Sequence, residues 1–239
     1  MTKQKIYLLH GWITASDTQD KWQPFIKLMA EKGYYPVFLK IPGLTTKLDQ
    51  PWNLDNYVHW LESQLKSEKE VILLGHSFGG QLAIKYSALH QEQIEKLILI
   101  GPAGIRDNSE KKQLKRIIFA LLAKIGKVVA KFLPGKQFFR WLLYKLAREQ
   151  DYYNCPPELR RTMVNVINED IYNLLAKVKA ETLLIWGSED KAAPFENSKI
   201  FVQRIDQCHL VSIRNAWHSP QYTHTKQVVQ IVSNFLQKT

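Results

Sequence analysis

Residues 71–80 read VILLGHSFGG and are followed directly by QLAIKY, residues 81–86. Four aliphatic residues in a row are typical of a buried strand, and the segment after the glycines has the composition of a helix. Gly75-His76-Ser77-Phe78-Gly79 therefore lies at a strand-to-helix turn with the G-x-S-x-G pattern, which exposes the serine hydroxyl. Ser77 is the predicted nucleophile. The alternative interpretation is a structural glycine-rich turn.

Short apolar runs alternate with helical patterns on both sides of this turn. The predicted strands, all interpreted as buried, are Lys5–His10, Tyr35–Ile41, Glu70–Gly75, Leu97–Gly101, Thr182–Gly187 and Cys208–Ile213. The predicted helices are Lys21–Lys32, Leu54–Lys66, Gly79–His90, Phe195–Gln203 and Pro220–Leu236. The alternation predicts an α/β fold, with a mostly parallel sheet of about six strands and helices on both faces.

The alternation is interrupted once, between the fourth and fifth predicted strands, where the pattern is helical throughout. Apolar residues recur there at steps of three and four. Pro156-Pro157 predicts the start of one helix, which runs to about Asn168, and a last helical segment follows near 171–178. The sequence thus predicts an α/β core of residues 1–103 and 179–239, with a helical cap inserted at 104–178.

A carboxylate follows the fifth predicted strand, in Ser188-Glu189-Asp190. Strand ends of this kind in an open α/β sheet face the crevice where ligands bind. Asp190 is therefore the predicted acid that orients a histidine. Helix capping is the alternative role of Asp190, and Glu189 is the competing carboxylate.

The chain offers seven histidines, at positions 10, 59, 76, 90, 209, 218 and 224. Only His218 lies in a loop between the last predicted strand and the last predicted helix, so it is the predicted general base. His209 is predicted to be packed within a strand, His224 to face solvent on the last helix, and His76 to point under the turn. The order Ser, Asp, His along the chain is a known order of a catalytic triad.

His10-Gly11-Trp12 ends the first predicted strand as the G-x-S-x-G turn ends the third. Acyl transfer needs two backbone N–H donors for the oxyanion, one after the nucleophile and one from another loop. The amides of Phe78 and Trp12 fit these two places. The Trp12 side chain is predicted to be part of the core.

These motifs, together with Ile41-Pro42-Gly43 and Leu184–Asp190, resemble the α/β-hydrolase fold family. They are similar in particular to small bacterial members with a helical cap after the sixth strand of the family sheet. The resemblance covers residues 5–102 and 180–237. It implies a Ser77–Asp190–His218 triad and an oxyanion hole from Trp12 and Phe78, and it implies no metal and no organic cofactor.

Composition favours an ordinary globular protein of 239 residues, of which 45% are hydrophobic. The first residues contain no apolar signal region, and no run of about 18 uncharged apolar residues occurs, so neither secretion nor a membrane-spanning helix is predicted. Cys155 and Cys208 have no metal or redox spacing. A cytoplasmic protein with reduced thiols is the resulting prediction.

The positive charge is concentrated in residues 105–150. The whole chain carries +11, and this segment holds twelve basic and three acidic residues. One interpretation is a cap whose lysines are solvated. A second is peripheral contact with an anionic membrane surface through a basic amphipathic helix. Nucleic-acid binding is not predicted, because no recognition module accompanies the charge.

The sequence predicts a carboxylic ester hydrolase of the esterase or lipase type, which acts on a small-molecule ester through an acyl-enzyme on Ser77. A serine at the turn argues against dehalogenases and epoxide hydrolases, which use aspartate there. A C–C bond hydrolase, an acyltransferase or a thioesterase with the same triad stays open. The alternative from another class is a non-catalytic ligand receptor.

Overall fold

The computed structural model describes residues 3–13, 17–105 and 156–237. These ranges contain one six-stranded sheet in the order β2-β1-β3-β4-β5-β6, and all of its strand pairs are parallel. The strands are β1 Lys5–Leu9, β2 Tyr35–Phe38, β3 Val71–His76, β4 Ile94–Ile100, β5 Glu181–Gly187 and β6 Cys208–Ile213. The predicted fold class is confirmed.

Helices cover both faces of the sheet. The described helices are α1 Thr18–Glu31, α2 Leu54–Leu65, α3 Phe78–Leu89, α4 Pro157–Asn168, α5 Tyr172–Leu175, α6 Ser198–Arg204, α7 Pro220–Thr223 and α8 Thr225–Leu236. Helices α1, α7 and α8 pack together on one face, and α2, α3 and α5 pack together on the other. Within the described ranges, no helix is long and apolar enough to cross a bilayer.

The central strands divide their side chains between two cores, because successive residues of a strand point to opposite faces. Along β3, Ile72 and Leu74 join the core beneath α1 and α8, while Val71 and Leu73 join the core beneath α2 and α3. All four side chains are buried. The long apolar runs of β3 and β4 in the sequence follow from this burial on both faces.

The two outermost strands correct the prediction that all six are buried. Tyr35 at the start of β2 is 56% exposed, and Leu210 in β6 is 36% exposed. His209, predicted to be packed, is exposed as well, with its Nε2 3.4 Å from Glu181 Oε1. Both strands are edges of the sheet, and an edge strand has a neighbouring strand on one side only. Strand order is set by topology, so an apolar strand pattern alone does not show which strands are edges.

The predicted last helix is divided into α7 and α8 by His224, whose backbone has φ −126° and ψ 39°. The Thr225 hydroxyl donates to the carbonyls of Gln221 and Tyr222, at 2.9 and 3.1 Å. These bonds satisfy acceptors that a continuous helix would have bonded with amides. His224 is therefore half-buried between two helices and not, as predicted, solvent-facing on one helix.

The described part of the predicted cap contains the two helices expected after Pro156-Pro157, namely α4 and α5. Both contribute buried residues to the core beneath α2 and α3. The earlier helical stripes of the cap lie outside the described residues, and the boundaries 104 and 178 stay predictions.

Two side chains of α3 attach the end of α4 to the helix that follows Ser77. Gln81 Nε2 donates to the carbonyls of Val166 and Glu169, both at 3.1 Å. One turn further on, the buried Lys85 ammonium pairs with the Glu169 carboxylate and, at 2.7 Å, with Asp55 of α2. We call this contact set the α3–α4 clamp. It fixes the described end of the cap relative to α3.

Candidate active site

The serine turn between β3 and α3 has the strained backbone that its motif predicts. Ser77 has φ 53° and ψ −116°, a conformation that residues with a side chain rarely adopt and that costs about 1–3 kcal/mol. A Cβ on Gly75 would lie 2.4 Å from the Gly79 carbonyl oxygen, and one on Gly79 would lie 2.2 Å from the Leu9 carbonyl oxygen. Glycine is therefore required on both sides of Ser77.

Hydrogen bonds to β4 and its following loop hold the turn in place. The Ser77 amide donates to the Ile100 carbonyl and the Ser77 carbonyl accepts from the Ala103 amide, both at 3.0 Å. The same carbonyl accepts from the Gln81 amide at 3.1 Å, which starts the hydrogen-bonding of α3. The strained conformation is thus imposed by the surrounding sheet and helix.

The structure brings Ser77, His218 and Asp190 into one hydrogen-bonded chain. His218 Nε2 lies 2.9 Å from Ser77 Oγ, and His218 Nδ1 lies 2.7 Å from Asp190 Oδ2. A carboxylate only accepts, so Nδ1 carries the proton and Nε2 accepts from the serine hydroxyl. This tautomer is the one that can remove a proton from Ser77.

The Asp190 carboxylate is oriented by the backbone that follows it. Its Oδ1 accepts from the amides of Ala192 and Ala193, at 2.8 and 2.9 Å, and its Oδ2 is left for His218. The side chain has no exposed surface. Asp190 therefore holds the turn that follows it with one oxygen and orients the histidine with the other, and it caps none of the described helices, since the next helical segment begins only after Pro194. Glu189, the competing carboxylate, is exposed.

The segment 214–219, here called the base loop, connects β6 to α7 and carries His218. Its first half is tied to the loop after β5: the Asn215 amide donates to Ser188 Oγ at 3.0 Å, and the Glu189 amide donates to the Ala216 carbonyl at 2.9 Å. Asn215 has φ 58°, a left-handed conformation that asparagine tolerates. The loop that carries the base is thus bonded to the loop that carries the acid.

Two further histidines lie buried at the carboxyl ends of β1 and β3. Burial lowers the pKa of His10 to about 4 and the pKa of His76 to about 3, so both are neutral near pH 7. His10 Nδ1 donates to the Gly11 carbonyl at 2.8 Å. His76 Nε2 donates to the His218 carbonyl at 3.0 Å. Sequence reasoning missed this last contact, since nothing local connects residues 142 positions apart.

The two residues predicted to supply the oxyanion amides are neighbours. Phe78 is the first residue of α3, so its amide has no carbonyl partner within that helix. Trp12 lies in the loop after β1, and its ring contacts the Phe78 ring edge-on, with 5.2 Å between centroids. The Trp12 side chain is partly buried against the core beneath α2 and α3, as predicted.

An aromatic wall continues from Phe78 towards α2. Tyr57 of α2 packs against Phe78 at 5.1 Å between centroids, and Trp52 packs against Tyr57 at 5.0 Å. The Tyr57 hydroxyl donates to the Pro42 carbonyl at 3.0 Å, and burial raises the Tyr57 pKa, so the phenol stays neutral. One side of the serine turn is therefore apolar and uncharged.

Trp217, directly before the predicted base, is oriented to the surface. Trp217 is 53% exposed, and the Lys191 ammonium lies 4.8 Å from the centre of its ring.

Across 3–13, 17–105 and 156–237, no group of three or more His, Cys, Asp or Glu side chains is arranged to hold a metal ion.

Comparison with known proteins relates the chain to several hydrolases. The model of a family described as serine aminopeptidase, S33, matches residues 52–222. Human monoacylglycerol lipase ABHD6 is 23% identical over 265 residues, which cover 98% of this chain and 75% of that protein. The 2-hydroxy-6-oxo-6-(2'-aminophenyl)hexa-2,4-dienoic acid hydrolase of Metapseudomonas resinovorans is 24% identical over 249 residues, which cover 98% of this chain and 84% of that protein.

Solved structures give the same fold. The esterase EaEST from Exiguobacterium antarcticum superposes with a TM-score of 0.71 at 19% identity, covering 99% of this chain and 93% of that one.

Proposed function

The chain belongs to the family of α/β hydrolases described as serine aminopeptidase, S33, and we propose that within this family it is a serine hydrolase that cleaves carboxylic esters. The proposed nucleophile is Ser77, the proposed base is His218 and the proposed acid is Asp190. The observation that carries the proposal is the chain of two hydrogen bonds, 2.9 and 2.7 Å long, from Ser77 through His218 to Asp190. A serine hydroxyl becomes nucleophilic when an oriented base can accept its proton.

In the proposed first step, Ser77 Oγ attacks the acyl carbon while its proton passes to His218 Nε2. Asp190 stabilises the imidazolium that forms and holds the ring in place. The amides of Phe78 and Trp12 are the proposed donors to the oxyanion, where two preorganised backbone donors are worth several kcal/mol. His218 then gives its proton to the leaving alcohol, and the acyl group stays on Ser77.

In the second step, water repeats the same proton transfers on the acyl-enzyme. His218 Nε2 takes a proton from water, the hydroxide adds to the acyl carbon, and the proton returns to Ser77 Oγ as the acid leaves. Every proton transfer of this second step is between groups of this chain and water.

The ester as substrate is supported by the apolar side of the site. The aromatic wall of Phe78, Tyr57 and Trp52 makes the surroundings of Ser77 on this side apolar and uncharged, with Phe78 and Tyr57 buried, and such surroundings suit a hydrocarbon acyl chain better than a charged group. A monoacylglycerol lipase and an esterase are among the proteins to which this chain is similar.

C–C bond hydrolysis is the second candidate, because a dienoic acid hydrolase is also among the similar proteins. Acyl transfer to an acceptor other than water would use the same acyl-enzyme. A ligand receptor without catalysis would leave Ser77 unreactive.

One set of assays separates these functions. We expect a fluorophosphonate probe to label wild-type protein and not Ser77→Ala, and p-nitrophenyl esters from acetate to palmitate to be hydrolysed. An amino-acyl p-nitroanilide and a 2-hydroxy-6-oxo-dienoate serve as the comparison substrates. Faster turnover of either one than of every ester would overturn the ester proposal, and absence of labelling would favour a receptor.

We also propose a cytoplasmic location and peripheral contact of residues 105–150 with anionic membrane surfaces, both from sequence. The support for membrane contact is the excess of nine positive charges in that segment. The segment lies, apart from residue 105, outside the described residues.

A further inference from the structure

The base loop is held from two directions. Its first half is bonded to the loop after β5 through Ser188 and Glu189. Its second half is bonded from β3, where His76 Nε2 donates to the His218 carbonyl at 3.0 Å and lies 3.4 Å from Ser219 Oγ. The second contact comes from the residue directly before Ser77. His76 thus connects the backbone of the proposed nucleophile to the backbone of the proposed base.

His76 is suited to hold a fixed position. Its side chain is buried, and its ring lies 5.0 Å from the His218 ring and 6.2 Å from the Tyr222 ring, measured between centroids. A Cβ on Gly11 would lie 2.8 Å from His76 Nδ1, so the backbone of the loop after β1 closes the remaining side. Burial keeps the imidazole neutral, because it lowers the pKa of His76 to about 3. A neutral ring that donates through Nε2 cannot also donate through Nδ1.

The bonded carbonyl belongs to His218 itself. A shift of this carbonyl moves the Cα from which the imidazole extends, and therefore moves both ring nitrogens relative to Ser77 Oγ and Asp190 Oδ2. Misplacement of a reacting group by 1 Å can lower a rate about 100-fold. We propose that His76 is a positioning residue, which sets the distance from the His218 imidazole to Ser77 by holding the His218 carbonyl. This inference rests on the proposed serine-hydrolase function.

Three substitutions separate the donor from the volume of the side chain. Glutamine has its amide nitrogen as many bonds from Cβ as Nε2 of histidine, so His76→Gln can keep the hydrogen bond. His76→Asn has a donor that is one bond too short, and His76→Phe keeps a ring without a donor. With p-nitrophenyl butyrate we expect kcat to fall about 10- to 100-fold in the Asn and Phe variants, KM to change little, and the Gln variant to recover most of kcat.

The matched control is Tyr86→Phe in α3. Tyr86 is buried, and the variant loses one part-buried hydrogen bond, from the Tyr86 hydroxyl to Gln93 Oε1 at 2.6 Å, which involves neither Ser77 nor the base loop. We expect this variant to keep the wild-type kcat. Amide hydrogen exchange of a peptide that covers 214–219 should become faster in His76→Asn and His76→Phe, and should stay at the wild-type rate in His76→Gln and Tyr86→Phe.

Several results would overturn the inference: a kcat within twofold of wild type in all three variants, a rise in KM without a fall in kcat, or unchanged exchange of the base loop. If His76→Phe does not fold, the Gln and Asn variants decide the question, and unfolding of all three would make the contact one of stability only. If the wild-type protein neither hydrolyses esters nor reacts with the probe, the proposed function fails. The exchange rates still show in that case whether His76 holds the loop.

Discussion

Replacement of Asp190 by asparagine exchanges one carboxylate oxygen for an NH2 group and is expected to move the proton of His218 from Nδ1 to Nε2. In the wild-type protein Oδ1 accepts from the amides of Ala192 and Ala193, and Oδ2 accepts from His218 Nδ1. The asparagine oxygen will take the place of Oδ1, because only an oxygen can accept from two amides. The NH2 group then faces Nδ1, which must become an acceptor. The proton moves to Nε2, and His218 can no longer take the proton of Ser77.

The structure sets the size of this effect. The active tautomer needs the asparagine turned over, with its NH2 group against the two amides. The buried amide of Ala193 would then lack an acceptor, at a cost of about 1–3 kcal/mol, and the part-buried amide of Ala192 would lose its bond at a smaller cost. A cost of about 1–3 kcal/mol corresponds to a loss of about 5- to 160-fold, since 1.36 kcal/mol is a factor of ten. The negative charge that stabilises the imidazolium is lost too, so we expect a total loss of about 10⁴-fold in kcat.

The measurement is kcat and KM for a p-nitrophenyl ester, together with the rate of fluorophosphonate labelling, in Asp190→Asn and in the control Glu189→Gln. Glu189 is exposed, and its replacement is expected to change kcat by less than about twofold. Circular dichroism and thermal melting check that both variants are folded. More than a tenth of wild-type activity in Asp190→Asn, or a larger loss in Glu189→Gln, would refute the assignment of the acid.

Three other predictions address the nucleophile, the buried histidines and the basic segment. Ser77→Ala should lower ester turnover about 10⁶-fold and abolish probe labelling, and retention of a few per cent of activity would contradict its role. Because the folded pKa values of His10 and His76 lie below the unfolded value of about 6.5, the unfolded state binds protons first as pH falls. The free energy of unfolding, measured by urea titration, should therefore fall by about 2 kcal/mol per histidine from pH 7 to pH 5. His76→Gln should remove half of the pH dependence that these two histidines cause. A free energy of unfolding that does not change with pH in the wild-type protein would contradict the burial of both rings. Phosphatidylglycerol vesicles should raise turnover of long-chain esters at low salt only. Charge reversal of Lys124, Lys127 and Lys131 should remove that gain and leave the turnover of short esters unchanged. If the wild-type protein does not bind vesicles, the charge of this segment is solvated surface.

The features that could be predicted from sequence are those whose cause is local. The turn at Ser77 is set by ten consecutive residues, in which an apolar strand, two required glycines and a helix follow one another. Asp190 and His218 are far from Ser77 along the chain, yet each follows a strand of a parallel sheet. The carboxyl ends of parallel strands lie at one edge of the sheet, so the fold itself brings Asp190 and His218 close to Ser77.

The features that could not be predicted depend on contacts between distant residues. The sequence predicts a packed His209 because the residue lies inside a strand, but β6 is an edge of the sheet. The division of the last helix at His224 depends on where one hydroxyl, that of Thr225, finds its acceptors. The hydrogen bond from His76 to the His218 carbonyl could not be predicted either, because its acceptor is a main-chain carbonyl, which every residue has.

The α3–α4 clamp bears on how such a scaffold diversifies. Gln81 binds two main-chain carbonyls at the end of α4, and a carbonyl is present whatever side chain the position carries. Only the Lys85 bond asks for a particular partner, the carboxylate of Glu169. The attachment of α4 to α3 therefore depends on few side chains of α4, and the stricter demand on its sequence is packing, since Leu159, Thr162 and Val166 are buried. The exposed positions of α4 can vary while the helix that follows Ser77 keeps its place.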